Sequence, residues 1–150
     1  MLFLIFQLGQ DRYALDAREL LEILPLAQIK RLPHAPTGIA GLLDYHGVLL
    51  PVIDLSALTL GRSAAERIST RMVVVEMANG RRFALIAERA NELLQREATD
   101  FTEAEVAVDT APYLGPVTRD ARGIVQWITP QKLFSPAVYE ALFQQMRAAA

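Results

Sequence analysis

One short stretch of the chain, GLLDYHGVLLPVIDL at residues 41–55, concentrates side chains that could do chemistry. It carries the carboxylates Asp44 and Asp54, the phenol Tyr45 and the imidazole His46. Histidine titrates near neutral pH and is a common metal ligand, and carboxylates can share a metal ion with it. A metal site needs about three or four ligands, however, and no HxH or HxxxH spacing occurs. The stretch therefore predicts a tight turn between two strands before it predicts a catalytic or metal site.

The rest of the chain offers few other catalytic groups. His34 lies in the sequence Leu-Pro-His-Ala-Pro, where a solvated loop histidine is expected. Without cysteine, the chain has no disulfide, thiol nucleophile or zinc–thiolate site. No GxSxG, GxxxxGK or GxGxxG motif indicates a serine nucleophile or a phosphate cradle. A two-carboxylate hydrolase stays open by residue type, but we expect neither an enzyme nor a cofactor.

The composition is that of a folded and weakly acidic protein. Of 150 residues, 52% are hydrophobic, and 15 basic and 17 acidic side chains give a net charge of −2. Mixed charges without a basic stripe indicate no nucleic-acid partner. The N-terminal apolar run ends at Gln7, lacks a basic flank and is far too short to cross a bilayer. We therefore expect a buried first strand, no direct membrane insertion and a cytoplasmic location.

Turn residues recur about every ten residues and predict many short strands. Hairpin turns are predicted at Gly9, His46-Gly47, Asn79-Gly80 and 120–123, because glycine and asparagine tolerate the positive φ of tight turns. Asp16 is predicted to cap a short helical turn. The predicted strands cover residues 2–8, 13–15, 22–24, 42–45, 48–55, 72–77, 82–87, 113–118 and 124–128, while 92–96 could be strand or helix.

The segments between the hairpins have their own signals. Prolines make residues 25–38 an extended connector, and a one-turn helix is predicted at Thr37 to Leu42. The polar stretch from Gly61 to Ser69 is the best internal boundary. A C-terminal helix is predicted at 135–147, with Ser135 as cap, Pro136 in the first turn, and Val138, Leu142 and Met146 on one face.

This pattern of short strands and tight turns favours small barrels over βαβ units. A similar hairpin rhythm on both sides of residue 65 suggests two of them. The sequence pattern alone indicates a small all-β binding module. A barrel that binds an unidentified small molecule stays open as an alternative.

Several motifs together resemble the CheW family, the adaptor proteins of bacterial chemosensory arrays. The most specific part is the spacing from Gly41 to Leu55. The other matching motifs are FQLGxxxYALD at residues 6–16, EILP at 22–25, PxAPxGIAG at 33–41, VVV at 73–75, FAL at 83–85, YLG at 113–115 and IxxxxLF at 128–134.

The resemblance implies one CheW-like domain over 1–150, folded as two small five-stranded SH3-like barrels packed side by side, with a C-terminal helix. Approximate subdomains would be 9–66 and 67–134, the second possibly with strand 1–8. The family is non-catalytic and couples the cytoplasmic tips of methyl-accepting chemoreceptors to a CheA-type histidine kinase. Recruitment from the cytoplasm to receptor clusters is therefore expected.

The resemblance also implies a receptor-binding surface, with kinase contacts elsewhere on strand edges and loops. One departure stands out: the family turn is usually Asn-x-Arg-Gly, and its arginine partners the acid that corresponds here to Glu22. Here His46 would be that partner. The receptor-binding residues predicted on this basis are Leu20, Glu22, Gly41, Asp44, Tyr45, His46 and Gly47.

Two hypotheses follow from this substitution. A histidine neither carries a permanent charge nor forks onto a carboxylate as arginine does, so partner choice could differ. The chain would then serve an alternative chemosensory system. If Glu22 and His46 pair, receptor affinity should also weaken as the histidine loses its proton at higher pH.

Overall fold

Nine strands and two helices make up the part of the chain that the computed structural model describes, residues 1–103 and 111–149. One-turn 3-10 helices lie at Ala17–Glu19, Ala98–Asp100 and Pro130–Lys132. The strands are β1 (Leu2–Leu8), β2 (Asp11–Asp16), β3 (Leu20–Pro25), β4 (Ile39–Tyr45), β5 (Val48–Asp54), β6 (Arg71–Glu76), β7 (Arg82–Gln95), β8 (Leu114–Asp120) and β9 (Gly123–Ile128); the helices are α1 (Leu55–Leu60) and α2 (Pro136–Ala149).

The long strand β7 belongs to two five-stranded sheets. Its first half pairs with β6 and, in parallel, with β5, which gives the order β3-β6-β7-β5-β4. Its second half pairs with β1, which gives the order β7-β1-β2-β9-β8. We call these the first unit and the second unit. The predicted all-β class, with two small five-stranded barrels and a C-terminal helix, is confirmed, although neither sheet closes into a complete barrel.

Strand pairing crosses the predicted subdomain boundary in both directions. Strand β2, from the predicted range 9–66, pairs with β9, and β3, from the same range, pairs with β6. Strands β6 and β7, from the range 67–134, complete the sheet that holds β3, β4 and β5. The two predicted ranges stay a prediction, since each of the two sheets contains strands from both ranges.

Alternation along the strands divides the core into three clusters, because successive side chains of a strand point to opposite faces. In β1, Phe3 and Ile5 belong to a small cluster inside the second unit, whereas Leu4 and Phe6 belong to the largest cluster. In β6, Met72 belongs to a small cluster inside the first unit, whereas Val73 and Val75 join the largest cluster. That cluster includes side chains from both units and from α2, so it joins them into one structure.

Most local predictions are confirmed, and one is wrong. Asp16 accepts a hydrogen bond from the backbone N–H of Arg18 at 2.9 Å and caps the first 3-10 turn. The predicted helix at Thr37 to Leu42 is wrong, because residues 39–45 form β4 and pair with β5. Helix α1 was not predicted, and residues 92–95 extend β7, which is the strand alternative for this segment.

Helix α2 packs against the largest cluster. Tyr139, Leu142, Phe143 and Met146 are buried, and the Tyr139 hydroxyl donates a hydrogen bond to the carbonyl of Pro130 at 2.7 Å. Val138 is 40% exposed, so the predicted face is shifted toward Tyr139 and Phe143. The helix therefore packs on its own barrels, as its amphipathic pattern indicated.

Candidate functional site

The hairpin between β4 and β5 turns through two residues, His46 and Gly47. Both have positive φ, 51° and 85°, which is the geometry of a type I′ turn. The carboxylate of Asp44 accepts a hydrogen bond from the backbone N–H of Gly47 at 2.8 Å and braces the turn. The predicted tight turn is thus confirmed, and its polar side chains stand at an exposed tip.

The hairpin tip contacts strand β3 through one hydrogen bond. The hydroxyl of Tyr45 donates to Oε1 of Glu22 at 2.7 Å. Nε2 of His46 lies 3.8 Å from the same oxygen, and its side chain is 78% exposed. Glu22 therefore has a hydrogen-bonding partner that was not predicted, Tyr45, while the predicted partner His46 lies within ion-pair distance. This hydrogen bond to a carboxylate raises the pKa of Tyr45.

A shallow apolar groove runs between the two units beside this contact. Strand β3 forms one wall, and β1 with the second half of β7 forms the other. Leu21 and Ile23 are 45% and 42% exposed, and Leu93 on the opposite wall is 59% exposed. Leu20 and Glu22, both predicted as binding residues, also line it. A helix could lay one apolar face along such a groove.

Gly41 is buried away from this groove. A Cβ at this position would lie 2.2 Å from the backbone carbonyl oxygen of Lys30, so only glycine fits. The close approach lets Lys30 and Leu42 exchange two backbone hydrogen bonds, at 2.8 and 2.7 Å. Gly41 thus fixes the connector against β4, and its predicted contact with a receptor stays a prediction.

Asp54, the second carboxylate of the opening stretch, lies apart from the hairpin tip. Its side chain accepts hydrogen bonds from the backbone N–H groups of Ala57 at 3.1 Å and Ala64 at 2.9 Å. It therefore caps α1 and ties down the following loop, a structural role that its position after a strand had indicated.

The structure brings the predicted residues together only in part. Glu22, Tyr45 and His46 meet, Asp44 and Gly47 complete the same turn, and Leu20 lies on the strand that carries Glu22. Sequence reasoning missed the other six groove residues. Their signal was weak, because apolar residues usually indicate core; they are Leu2, Leu4, Ala17, Leu21, Ile23 and Leu93.

The described residues show no arrangement suited to a metal ion. In ranges 1–103 and 111–149, no group of three or more histidine or acidic side chains is placed to hold one. No helix among these residues is long and apolar enough to span a membrane.

These features define a class of protein, a pair of open five-stranded barrel units with an apolar groove between them. A family model, the CheW-like domain, matches residues 2–137. The chain belongs to the CheW-like family.

Curated relatives and a solved structure agree with this membership. The chain is 27% identical over 89 residues to a chemotaxis protein CheW of Rhizobium meliloti (strain 1021), covering 59% of this chain and 57% of the relative. It is 28% identical over 110 residues to a chemotaxis protein CheW of Klebsiella aerogenes, covering 73% and 66%. The matches thus span less than two thirds of these relatives.

The fold also resembles that of the scaffolding protein TtCheW from Thermoanaerobacter tengcongensis. The TM-score is 0.79 at 23% sequence identity, and the match covers 89% of this chain and 87% of that one. At this identity the likeness concerns the fold, and it agrees with the predicted SH3-like barrels.

Proposed function

We propose that the protein is a non-catalytic adaptor that couples the cytoplasmic tips of methyl-accepting chemoreceptors to a CheA-type histidine kinase. It would act in the cytoplasm, recruited to receptor clusters. The observation that carries the proposal is the exposure of Leu21, Ile23 and Leu93 along one groove beside the Glu22–Tyr45 contact. The apolar groove suits one face of a receptor helix, and the polar contact beside it would fix the helix's direction.

The free energy of binding expected for the groove is that of a weak contact, which further contacts within an array would strengthen. Fully burying an apolar side chain of this size is worth roughly 1.5–3 kcal/mol, and these side chains are already about half covered. Association also costs translational and rotational freedom, so one groove alone binds weakly. A second surface on the kinase side converts two weak contacts into a stable assembly through effective concentration.

A matched pair of variants tests the receptor surface. Leu93→Asp places a charge in the groove, whereas Ile124→Asp places one at an equally exposed position on β9, 59% against 56%. We expect Leu93→Asp to weaken binding of a purified receptor signalling-tip fragment at least tenfold and Ile124→Asp to change it less than twofold. Kinase binding by Leu93→Asp should stay at the wild-type level, because its surface is separate.

Three outcomes would count against the proposal. Equal loss with both aspartates would mean that the groove has no special role, and no binding of the wild-type chain to any receptor fragment or kinase would remove the adaptor function. A small molecule retained in native mass spectrometry, with neither partner bound, would favour the alternative of a ligand-binding barrel.

The unusual hairpin tip also bears on which array the chain serves. With Tyr45 donating to Glu22, the tip offers a neutral phenol and an imidazole where the family pattern has a permanent charge. We therefore place the chain in an alternative chemosensory system. Equal and tight incorporation into a standard flagellar array and into the host's other receptor clusters would contradict this assignment.

A further inference from the structure

A polar cavity lies where β7 passes from the first unit to the second. Its volume is about 240 Å³, and most of its lining is polar. It is distinct from the apolar groove, because no residue lines both. The side chains that matter here are Gln7, Gln10, Arg62, Arg67, Glu88 and Arg89.

The cavity holds more positive than negative charge. Three exposed arginines and one carboxylate line it, a formal excess of two positive charges. Oε2 of Glu88 already accepts a hydrogen bond from the hydroxyl of Ser56 at 2.6 Å. Within the described residues, Arg62, Arg67 and Arg89 make no ion pair.

Five other arginines of the described chain pair with carboxylates, whereas several exposed ones, Arg31 among them, do not. Arg12 forks onto Asp120, with its two Nη atoms 2.7 and 2.8 Å from the carboxylate oxygens. Arg81 and Arg82 pair with Glu140 and Glu76. What sets the cavity apart is that three arginines share one carboxylate.

The backbone at the cavity is also unusual. Arg89 has a φ of 50°, in the left-handed region that non-glycine residues seldom adopt. It lies next to the Gln7↔Glu88 pair, where the register between β1 and β7 shifts. Strain of this kind persists only where surrounding structure holds it, and it recurs at binding sites.

We propose that this cavity binds a small oxyanion of the phosphate class that carries two or more negative charges. Guanidinium groups match phosphate oxygens by paired, charge-assisted hydrogen bonds. The cavity is smaller than the roughly 300–1,000 Å³ typical of sites for drug-sized ligands, so a compact anion fits better than a nucleotide. Because the anion binds the folded chain at the crossing of β7, its binding stabilises the junction of the two units.

Inorganic pyrophosphate at constant ionic strength is the probe, with calorimetry and thermal unfolding as readouts. The variants are Arg62→Gln, Arg67→Gln and Arg89→Gln, and the matched control is Arg31→Gln, an exposed arginine outside the cavity. Far-UV circular dichroism and the melting temperature without anion verify that each variant is folded. Glu88→Gln, which keeps an oxygen for Ser56, tests the sign of the charge effect.

We expect saturable binding of pyrophosphate that raises the melting temperature. Each cavity arginine variant should weaken it about tenfold, the control less than twofold, and Glu88→Gln should strengthen it. Absence of saturable binding up to about 10 mM would overturn the proposal, as would equal weakening in Arg31→Gln, the mark of general screening. Binding of an acidic peptide, with none of pyrophosphate, would also overturn it and indicate a protein partner instead.

Discussion

The hydroxyl of Tyr45 and Oε1 of Glu22 lie 2.7 Å apart, and this hydrogen bond ties the tip of the β4–β5 hairpin to the edge strand β3. It aligns the polar end of the candidate site with the apolar groove. His46 approaches the same carboxylate but remains largely in solvent. The phenol, and not the imidazole, therefore holds the tip in place.

The first prediction separates these two side chains. We expect Tyr45→Phe to weaken receptor binding by about five- to tenfold, since it removes one hydrogen bond to a charged group, and His46→Gln to weaken it by at most about twofold. Both variants should unfold within about 1 kcal/mol of the wild type, because the contact is exposed. Binding to a receptor-tip fragment and urea unfolding measure the two effects.

The pH profile of the same interaction follows from the phenol. Hydrogen bonding raises the pKa of Tyr45 above its ordinary value of 10.0, so the hydroxyl keeps its proton throughout pH 5.5–8.5. The affinity of the wild type should then be flat across this range. A steep decline toward pH 8.5 that disappears in His46→Gln would instead support the hypothesis of a Glu22–His46 pair.

The second prediction concerns the ion pair between Arg12 and Asp120 across the second unit. The hydrogen bond from Arg12 lowers the pKa of Asp120. Because the folded state holds the ionised form, this stabilisation is present above the unfolded-state pKa and is lost as pH decreases through the folded-state value. Asp120→Asn should cost roughly 1–3 kcal/mol at pH 7 and progressively less in acid, below about pH 4.

Urea unfolding at a series of pH values between about 7 and 3 measures this difference. Asp11→Asn, which changes an exposed carboxylate on β2, is the matched control and should have little effect. If the free energy of unfolding of Asp120→Asn differed from that of the wild type by the same amount at every pH, the charge of Asp120 would not be the cause of the stabilisation.

The third prediction compares two glycines. Gly41→Ala places a Cβ against the carbonyl of Lys30 and should destabilise the chain by about 2–4 kcal/mol through displacement of the connector. At Gly47 nothing lies within 4 Å, so Gly47→Ala meets only the strain of its positive φ, about 1–2 kcal/mol. Chemical denaturation measures the free energy of unfolding of both variants. Equal losses in the two would exclude the close approach to Lys30 as the reason why glycine occupies position 41.

The fourth prediction concerns the anchoring of α2. Tyr139→Phe leaves the buried carbonyl of Pro130 without its hydrogen bond and should cost about 1–3 kcal/mol. Val138→Ala, on the exposed side of the same helix, should cost less than about 0.5 kcal/mol. Thermal unfolding of both variants provides the comparison, and a larger loss in Val138→Ala would mean that the helix packs in another orientation.

Local features of the fold were predictable because a few neighbouring residues determine them. Asn79-Gly80 and His46-Gly47 adopt the turns that their residue types favour, and Asp16 caps a turn through its own side chain. Where the structure of a segment depends on pairing with a strand distant in the chain, the sequence pattern did not predict it. Residues 39–42 became strand because β5 lies beside them, and the extension of β7 depends on β1.

The candidate site was predictable to the same extent. The turn and Glu22 were identified, whereas most residues that line the groove were not, because Leu93 and β3 come to line one groove only through the pairing of distant strands. The choice between Tyr45 and His46 likewise depends on which adjacent side chain the strand directs toward Glu22. Such a choice is settled by three-dimensional placement and not by residue type.

The continuity of β7 restricts how this protein can be divided. The strand is central in one sheet and an edge of the other, so cutting the chain at either end of it would leave one sheet short of a member. A fragment carrying either unit alone would expose unpaired backbone and be prone to aggregate. A displacement within the first unit also reaches the second through one continuous strand.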